Sequence, residues 1–156
     1  MASRSGSFRS LLIGVDGSRE ARQAVSFVAS LIPPPGGQVT VLRVVEPGRL
    51  PSLGLLPARV RAHLEAEVSN VRAATTRAAQ RDVDRAVARL ERSGWRARGE
   101  VRMGVPLAEL LAAITTTRAD LLVVGARGVG RVERMLLGSV ADAVTKRAPI
   151  PVLVVR

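Results

Sequence analysis

The sequence contains no cysteine, and its 156 residues include only one histidine, one tryptophan and two phenylalanines. The absence of cysteine excludes disulfide bonds, thiolate nucleophiles and cysteine-based zinc sites, as expected in a reducing cytoplasm. The scarcity of aromatic rings requires an aliphatic core and leaves few surfaces on which nucleic-acid bases stack. No stretch approaches the roughly 20 apolar residues of a membrane span, and the first residues lack the apolar segment of a signal peptide. We therefore expect a cytoplasmic protein with no membrane contact.

Lysine is almost absent as well. Lys146 is the only one, so arginine supplies the other 23 of the 24 basic residues, and the formal net charge is +11. A basic surplus suits a nucleic-acid partner, because phosphate neutralisation dominates the affinity of such complexes. The arginines are scattered along the chain rather than clustered. Nucleic-acid binding is therefore the weaker alternative.

Apolar runs and helical stripes alternate along the chain and predict five strands and four helices. The predicted strands are residues 9–15, 38–45, 95–103, 120–124 and 151–156, and the helices follow Ser18, span about 58–93, and begin at Pro106 and Ser139. The third strand alternates in polarity, as at a sheet edge. Mostly apolar strands alternating with helices predict a three-layer α/β sandwich around a parallel sheet. We expect residues 1–8 to form a flexible tail and residues 9–156 to form one domain.

The long helix carries an apolar stripe that includes Val60, Leu64 and Val71, and its eight arginines lie mostly on other faces. We interpret those arginines as a solvent-exposed face. His63 lies in the same segment without a second His, Asp or Cys at a metal-ligand spacing. It is therefore interpreted as a surface residue.

Three loops of the predicted sheet are candidates for a binding site. In open parallel sheets, ligands bind beyond the carboxyl ends of the strands, where the strand order reverses. The segments predicted at that edge are residues 14–18, residues 44–46 and the loop GARGVGRVERMLLGS, residues 125–139. Asp16 has an alternative role in a turn or as a helix cap.

The glycine-rich loop does not match two common phosphate-binding motifs. Gly125 and Gly130 have the spacing of a Walker P-loop, but Arg131 follows where that motif requires lysine. A dinucleotide fingerprint that starts at Gly128 would need glycine or alanine at position 133, which is Glu133. Neither motif accounts for the loop.

The pattern that remains is G-x₂-G-x₉-G-S, formed by Gly125, Gly128, Gly138 and Ser139. Gly125 and Gly128 would let the backbone pass close to a ligand, since they have no Cβ atom. Ser139 is predicted to be the N-cap of a helix whose first amides would face an anion. Arg131 and Arg134 would be available to pair with the negative charge of a polyphosphate. The alternative is that the glycines are used only to form turns and to begin a helix.

Three stretches resemble the universal stress protein family: LLIGVDGSREARQAV, VRMGVPLAEL and GARGVGRVERMLLGSVADAVTKRAPIPVLVV. The resemblance spans residues 10–156. It implies a Rossmann-like fold of the adenine-nucleotide α-hydrolase type, with a five-stranded parallel sheet in the order 3-2-1-4-5. Because the glycine motif is intact, the resemblance also implies membership of the ATP-binding subgroup.

The resemblance implies roles for eleven residues. Asp16 would lie near the ribose or a phosphate-bound Mg²⁺ ion, Gly14 would line the adenosine pocket, and Val44 would offer its backbone to the adenine edge. Gly125, Gly128, Gly138 and Ser139 would surround the ribose and phosphates. The remaining site residues are Val15, Val124, Arg127 and Val140, the last through its backbone amide.

We find no convincing catalytic set, since a Ser-His-Asp group would depend on His63. The first hypothesis is an ATP-binding switch or sensor that meets an unknown protein partner, with at most slow hydrolysis. The second is a dimeric interaction module that binds cyclic AMP or no nucleotide. The third is a weak ATPase or autophosphorylation activity that matters in its own right. The resemblance also implies a homodimer through the last strand, from Pro151 to Arg156.

Overall fold

The computed structural model describes residues 8–48, 56–127 and 137–156. The predicted tail lies outside these ranges except for Phe8. The elements in chain order are β1 Ser10–Val15, α1 Arg19–Ser30, β2 Gln38–Val45, α2 Ala58–Arg92, β3 Arg96–Met103, α3 Pro106–Thr117, β4 Leu121–Gly125, α4 Ser139–Arg147 and β5 Val152–Val155. The strands and the long helix lie within one residue of their predicted bounds.

The five strands form one sheet in the order β3-β2-β1-β4-β5. Each neighbouring pair is parallel, which confirms the predicted α/β fold. From β1 the chain moves outward to β3 on one side, and then returns to β4 and β5 on the other. The strand order therefore reverses beside β1, and the carboxyl ends of β1 and β4 flank the resulting crevice.

The core consists of two aliphatic layers on opposite faces of the sheet. Ile13 packs with Val83 and Leu90 of α2, whereas Leu12 packs with Ile114 of α3. Neighbouring residues of a strand point to opposite faces, so a strand buried on both faces has a continuous apolar sequence. Trp95 joins the first layer and donates its indole N–H to the carbonyl of Val28 at 3.1 Å.

Helix α2 is longer than the strands that it covers. Its buried residues are Ala79, Val83, Ala86 and Leu90, all in its second half. Most apolar side chains of the first half are exposed, with Val60 at 45% and Val71 at 63%. The apolar stripe of that half therefore does not contribute to the core of this chain.

Candidate functional site

A cavity of about 470 Å³ lies at the carboxyl ends of β1, β2 and β4, and we call it the strand-end cavity. Its volume falls in the range of roughly 300–1,000 Å³ that small-molecule sites occupy. Ten of the eleven predicted site residues line it. These are Gly14, Val15, Asp16, Val44, Val124, Gly125, Arg127, Gly138, Ser139 and Val140. Gly128 lies outside the described residues, as do Arg131 and Arg134.

The turn after β1 holds Asp16 at the cavity. Gly17 adopts a positive φ of 82°, which favours glycine and reverses the chain. The Asp16 carboxylate accepts a hydrogen bond from the amide of Ser18 at 2.9 Å. The Ser18 hydroxyl accepts from the amide of Ala21 at 3.0 Å and caps α1. Asp16 therefore has the turn role that we considered, and it lines the cavity as well.

Hydrogen bonds hold the two ends of the glycine-rich loop together. The amide of Gly138 donates to the carbonyl of Ala126 at 2.7 Å. The amide of Ala126 in turn donates to the carbonyl of Val155, also at 2.7 Å. The Ser18 hydroxyl donates to the carbonyl of Arg127 at 3.4 Å, which links this loop to the turn after β1. These bonds place the start of α4 beside the end of β4.

The predicted N-cap of α4 was wrong by one residue. Gly138 is the N-cap, in an extended conformation with φ −68° and ψ 159°, and Ser139 is the first helical residue. Among the described residues no side chain caps this helix, so capping does not occupy the Ser139 hydroxyl. The amide of Asp142 makes the first helical hydrogen bond, to Gly138 at 2.9 Å. The three preceding amides therefore lie at the positive end of the helix dipole, beside the cavity.

The packing of α1 against β4 leaves no space for a side chain at Gly125. A Cβ atom at this position would lie 2.7 Å from the carbonyl carbon of Glu20 and 2.8 Å from the amide nitrogen of Ala21. Both atoms belong to the backbone of α1, which cannot move away as a side chain can. Glycine at this position is therefore required for the packing of α1 against β4. The expected role of Gly125 beside a ligand stays a prediction.

Several lining residues were missed by the sequence analysis, and Arg43 is the most informative of them. Arg43 and Asp82 of α2 form an ion pair whose side chains are 17% and 25% exposed, respectively. The Arg43 guanidinium lies over Gly17, and Arg43 is among the residues that line the cavity. A single arginine in the otherwise mostly apolar strand QVTVLRVV was the available signal. Its partner, 39 residues away, was not apparent from the sequence.

The described part of the chain shows no preformed metal centre. Within residues 8–48, 56–127 and 137–156, no group of three or more His, Cys, Asp or Glu side chains is arranged to hold a metal ion. His63 is exposed. In the same ranges, no helix has both the length and the apolar character needed to cross a membrane.

Comparisons with known proteins place the fold among universal stress proteins. A universal stress protein of Staphylococcus epidermidis is 30% identical over 155 residues, which cover 96% of this chain and 85% of the relative. The solved structure of MJ0577 has a TM-score of 0.77 at 22% identity and covers 94% of both chains. These likenesses extend over nearly the whole length of the chain.

Two further solved structures contain nucleotides. A universal stress protein in complex with cAMP has a TM-score of 0.61 at 21% identity, covering 96% of this chain and 98% of the other. The Archaeoglobus fulgidus protein in complex with dAMP has a TM-score of 0.60 at 18% identity, covering 95% and 98%. The model of the universal stress protein family matches residues 7–156. The chain therefore belongs to the universal stress protein family.

Proposed function

We propose that this protein is an ATP-binding switch or sensor of the ATP-binding subgroup, and that it holds the nucleotide in the strand-end cavity. The main support for the proposal is that ten residues selected from the sequence line the same cavity. The cAMP and dAMP complexes of structural neighbours support an adenine nucleotide as the class of ligand. The intact G-x₂-G-x₉-G-S motif favours ATP.

The lining of the cavity suits the different parts of ATP. Gly14, Val15 and Val44 offer backbone and apolar surface to the adenosine, at the ends of β1 and β2. The first amides of α4 and the Ser139 hydroxyl offer hydrogen bonds to the phosphates, where the helix dipole favours negative charge. Arg127 and Arg43 are the two basic residues of the described lining, and we propose that they contribute positive charge near the phosphates.

A magnesium ion would fit this arrangement only as part of a nucleotide complex. Asp16 is its proposed protein ligand, and the described residues offer no set of three such side chains. Protein sites commonly hold Mg²⁺ through one or two carboxylates, with substrate phosphates and water completing the octahedron. When bound, the ion would neutralise phosphate charge. The Asp16 turn would then position the phosphates relative to β1.

The described lining favours holding ATP over cleaving it. It includes two carboxylates, Asp16 and Glu46, and no histidine, cysteine or lysine. Phosphoryl transfer depends on positioning the nucleophile and on neutralising the charge that develops in the transition state. We therefore propose at most slow hydrolysis. A turnover assay with an Asp16→Ala control tests the remaining hypothesis of weak ATPase or autophosphorylation activity.

Ligand release and calorimetry test the main proposal. We expect adenine absorbance in the supernatant after the purified protein is denatured, and titration with ATP to give one site per chain. ADP and cyclic AMP are titrated in parallel. Tighter binding of cyclic AMP would favour the alternative of a dimeric interaction module, and no heat with any nucleotide would overturn the proposal.

Replacing Ser139 with alanine separates binding from folding. Its hydroxyl caps no helix, so we expect the midpoint of chemical denaturation to stay unchanged. Loss of a hydrogen bond to a charged phosphate costs about 1.5 kcal/mol, or roughly tenfold in ATP affinity. Thr145→Ala is the matched control, because Thr145 lies on the same helix and bonds only to the carbonyl of Asp142. Equal ATP affinity in Ser139→Ala and Thr145→Ala would exclude the proposed contact.

We further propose that residues 9–156 act as one cytoplasmic domain that forms a homodimer through β5. Both β3 and β5 are sheet edges. Edge strand β3 carries charged residues such as Arg98 and Glu100, which discourage pairing with another strand. Edge strand β5 has the sequence VLVV and is half-buried in the single chain. Light scattering of the purified protein measures the oligomer, and a monodisperse monomer would contradict the dimer.

A further inference from the structure

A second cavity of about 350 Å³ lies between α1 and α2, and we call it the arginine groove. Its floor is formed by small apolar side chains, among them Ala21, Val25 and Ala86. Four arginines line it: Arg22 from α1, and Arg85, Arg89 and Arg92 from α2. No residue predicted for nucleotide binding lies in it, apart from Val15 in the wall that it shares with the strand-end cavity.

The groove carries far more positive than negative charge. Asp82 is its only carboxylate among the described lining residues. Both carboxylate oxygens of Asp82 are already engaged, one by Arg43 and the other by Arg85. Within the described part of the chain, Arg89 and Arg92 form no ion pair. An anion that enters the groove would therefore meet guanidinium groups that have no carboxylate partner.

The four exposed arginines are aligned by the two helices that carry them. Arg85, Arg89 and Arg92 follow the spacing i, i+4, i+7, so they share one face of α2 over about 10 Å of helix. Arg22 faces them from α1, and its guanidinium donates to the carbonyl of Gly17 at 2.7 Å, which fixes it at one end of the groove. Guanidinium groups bind phosphate oxygens through paired N–H donors. A row of phosphates along α2 would satisfy this geometry.

We propose that the arginine groove binds a short linear polyphosphate. The 350 Å³ volume admits a chain of a few phosphates. None of the described residues that line the groove is aromatic, so single-stranded bases would find no stacking platform. The site is separate from the proposed ATP site, because the Arg43–Asp82 pair lies between the two cavities.

Isothermal calorimetry with inorganic tripolyphosphate tests the proposal on the full chain. The titration is done in magnesium-free buffer at low salt, with and without saturating ATP. We expect one tripolyphosphate site per chain that persists when ATP is present. If ATP fails to bind at all, the titration without ATP still tests the groove, so the two proposals fail separately.

Paired charge variants locate the site. The double variant Arg89→Gln and Arg92→Gln should weaken tripolyphosphate binding at least about tenfold, because charge-assisted hydrogen bonds are the strong ones. The double variant Arg72→Gln and Arg77→Gln removes the same charge from the same helix outside the groove, and it should change the affinity less than about twofold. Thermal melts followed by circular dichroism check that both variants fold.

Three outcomes would overturn the proposal. Equal weakening in the two double variants would show a non-specific effect of net charge. Displacement of all tripolyphosphate by ATP, with the same affinity in the Arg89→Gln and Arg92→Gln double variant as in the unmodified protein, would place the anion in the strand-end cavity. A single-stranded oligonucleotide that binds more tightly than tripolyphosphate, with the same dependence on Arg89 and Arg92, would make the ligand a nucleic acid.

Discussion

The two cavities of this protein lie side by side but are built differently. The strand-end cavity is formed by loops, by backbone amides and by the ends of β1, β2 and β4, whereas the arginine groove is formed by side chains of α1 and α2. They share Val15 and Ala21, and the Arg43–Asp82 ion pair joins one to the other. The first cavity follows from the topology of the sheet. The second depends on which side chains the helices carry.

This difference predicts different sensitivities. A site built from backbone is disturbed by an added Cβ atom, because the neighbouring backbone atoms cannot move away as a side chain can by changing its rotamer. A site built from long side chains tolerates added methyl groups and responds to the loss of charge. Substitutions in the two cavities should therefore give two distinct responses.

Gly125→Ala should produce the largest loss of stability. The new methyl group would lie within 2.9 Å of three α1 atoms, two of them backbone, and overpacking of this kind costs roughly 2–3 kcal/mol. Gly14→Ala is the matched control. Its methyl group would meet the side chain of Leu110 at 3.1 Å, which can rotate, so we expect less than about 1 kcal/mol. Urea denaturation followed by circular dichroism measures both.

Titrating the same two variants with ATP and with tripolyphosphate tests whether the two cavities respond separately. Gly125→Ala shifts the start of α1, which borders both cavities, so both ATP and tripolyphosphate should bind less tightly. Gly14→Ala alters only the strand-end cavity, so tripolyphosphate binding should be unchanged. If Gly125→Ala is as stable as the unmodified protein, the close packing of α1 on β4 does not explain this glycine.

Arg43→Gln and Asp82→Asn break the ion pair from opposite sides. Each removes a charge-assisted hydrogen bond from partly buried groups and should cost about 1–2 kcal/mol of stability. Their effects on ligands should differ. Arg43→Gln removes a cation from the strand-end cavity and should weaken ATP binding about threefold to tenfold, or ~0.7–1.4 kcal/mol.

Asp82→Asn keeps Arg43 in the strand-end cavity and removes the only carboxylate among the described residues of the arginine groove. Tripolyphosphate should therefore bind more tightly to this variant, while ATP binding is retained. Calorimetry with both ligands gives the comparison. The same loss of both ligands in the two variants would show that the pair only stabilises the fold.

The apolar pattern was sufficient to predict a parallel sheet and the three loops that meet at its carboxyl edge. The order of the strands and the individual site residues came from the resemblance to universal stress proteins. The N-cap of α4 was misplaced because glycine and serine are both acceptable caps and stand next to each other at Gly138 and Ser139. One residue of error decides whether the serine hydroxyl caps the helix.

Contacts between distant segments were not predictable in the same way. The Arg43–Asp82 pair joins β2 to α2, and no local pattern links these two residues. The apolar stripe of α2 also resembles a core-facing surface, yet Val60 and Val71 are exposed. Periodicity reports which residues share a helix face. It does not report whether anything packs against that face.

Ser18→Ala should destabilise the protein less than breaking the ion pair, because it removes a cap while the chain path remains. The hydroxyl accepts from the amide of Ala21 and donates to the carbonyl of Arg127, and loss of an N-cap costs about 1 kcal/mol. Ser30→Ala, at the other end of α1, is the matched control, since its exposed hydroxyl bonds only to Phe27. Urea denaturation should separate the two variants.

ATP affinity should fall only in Ser18→Ala, because the bond to Arg127 links the two loops of the strand-end cavity. Tripolyphosphate affinity should be equal in Ser18→Ala and Ser30→Ala. Weaker tripolyphosphate binding in Ser18→Ala would show that the arginine groove also depends on this turn, and that the two cavities are less independent than their construction indicates.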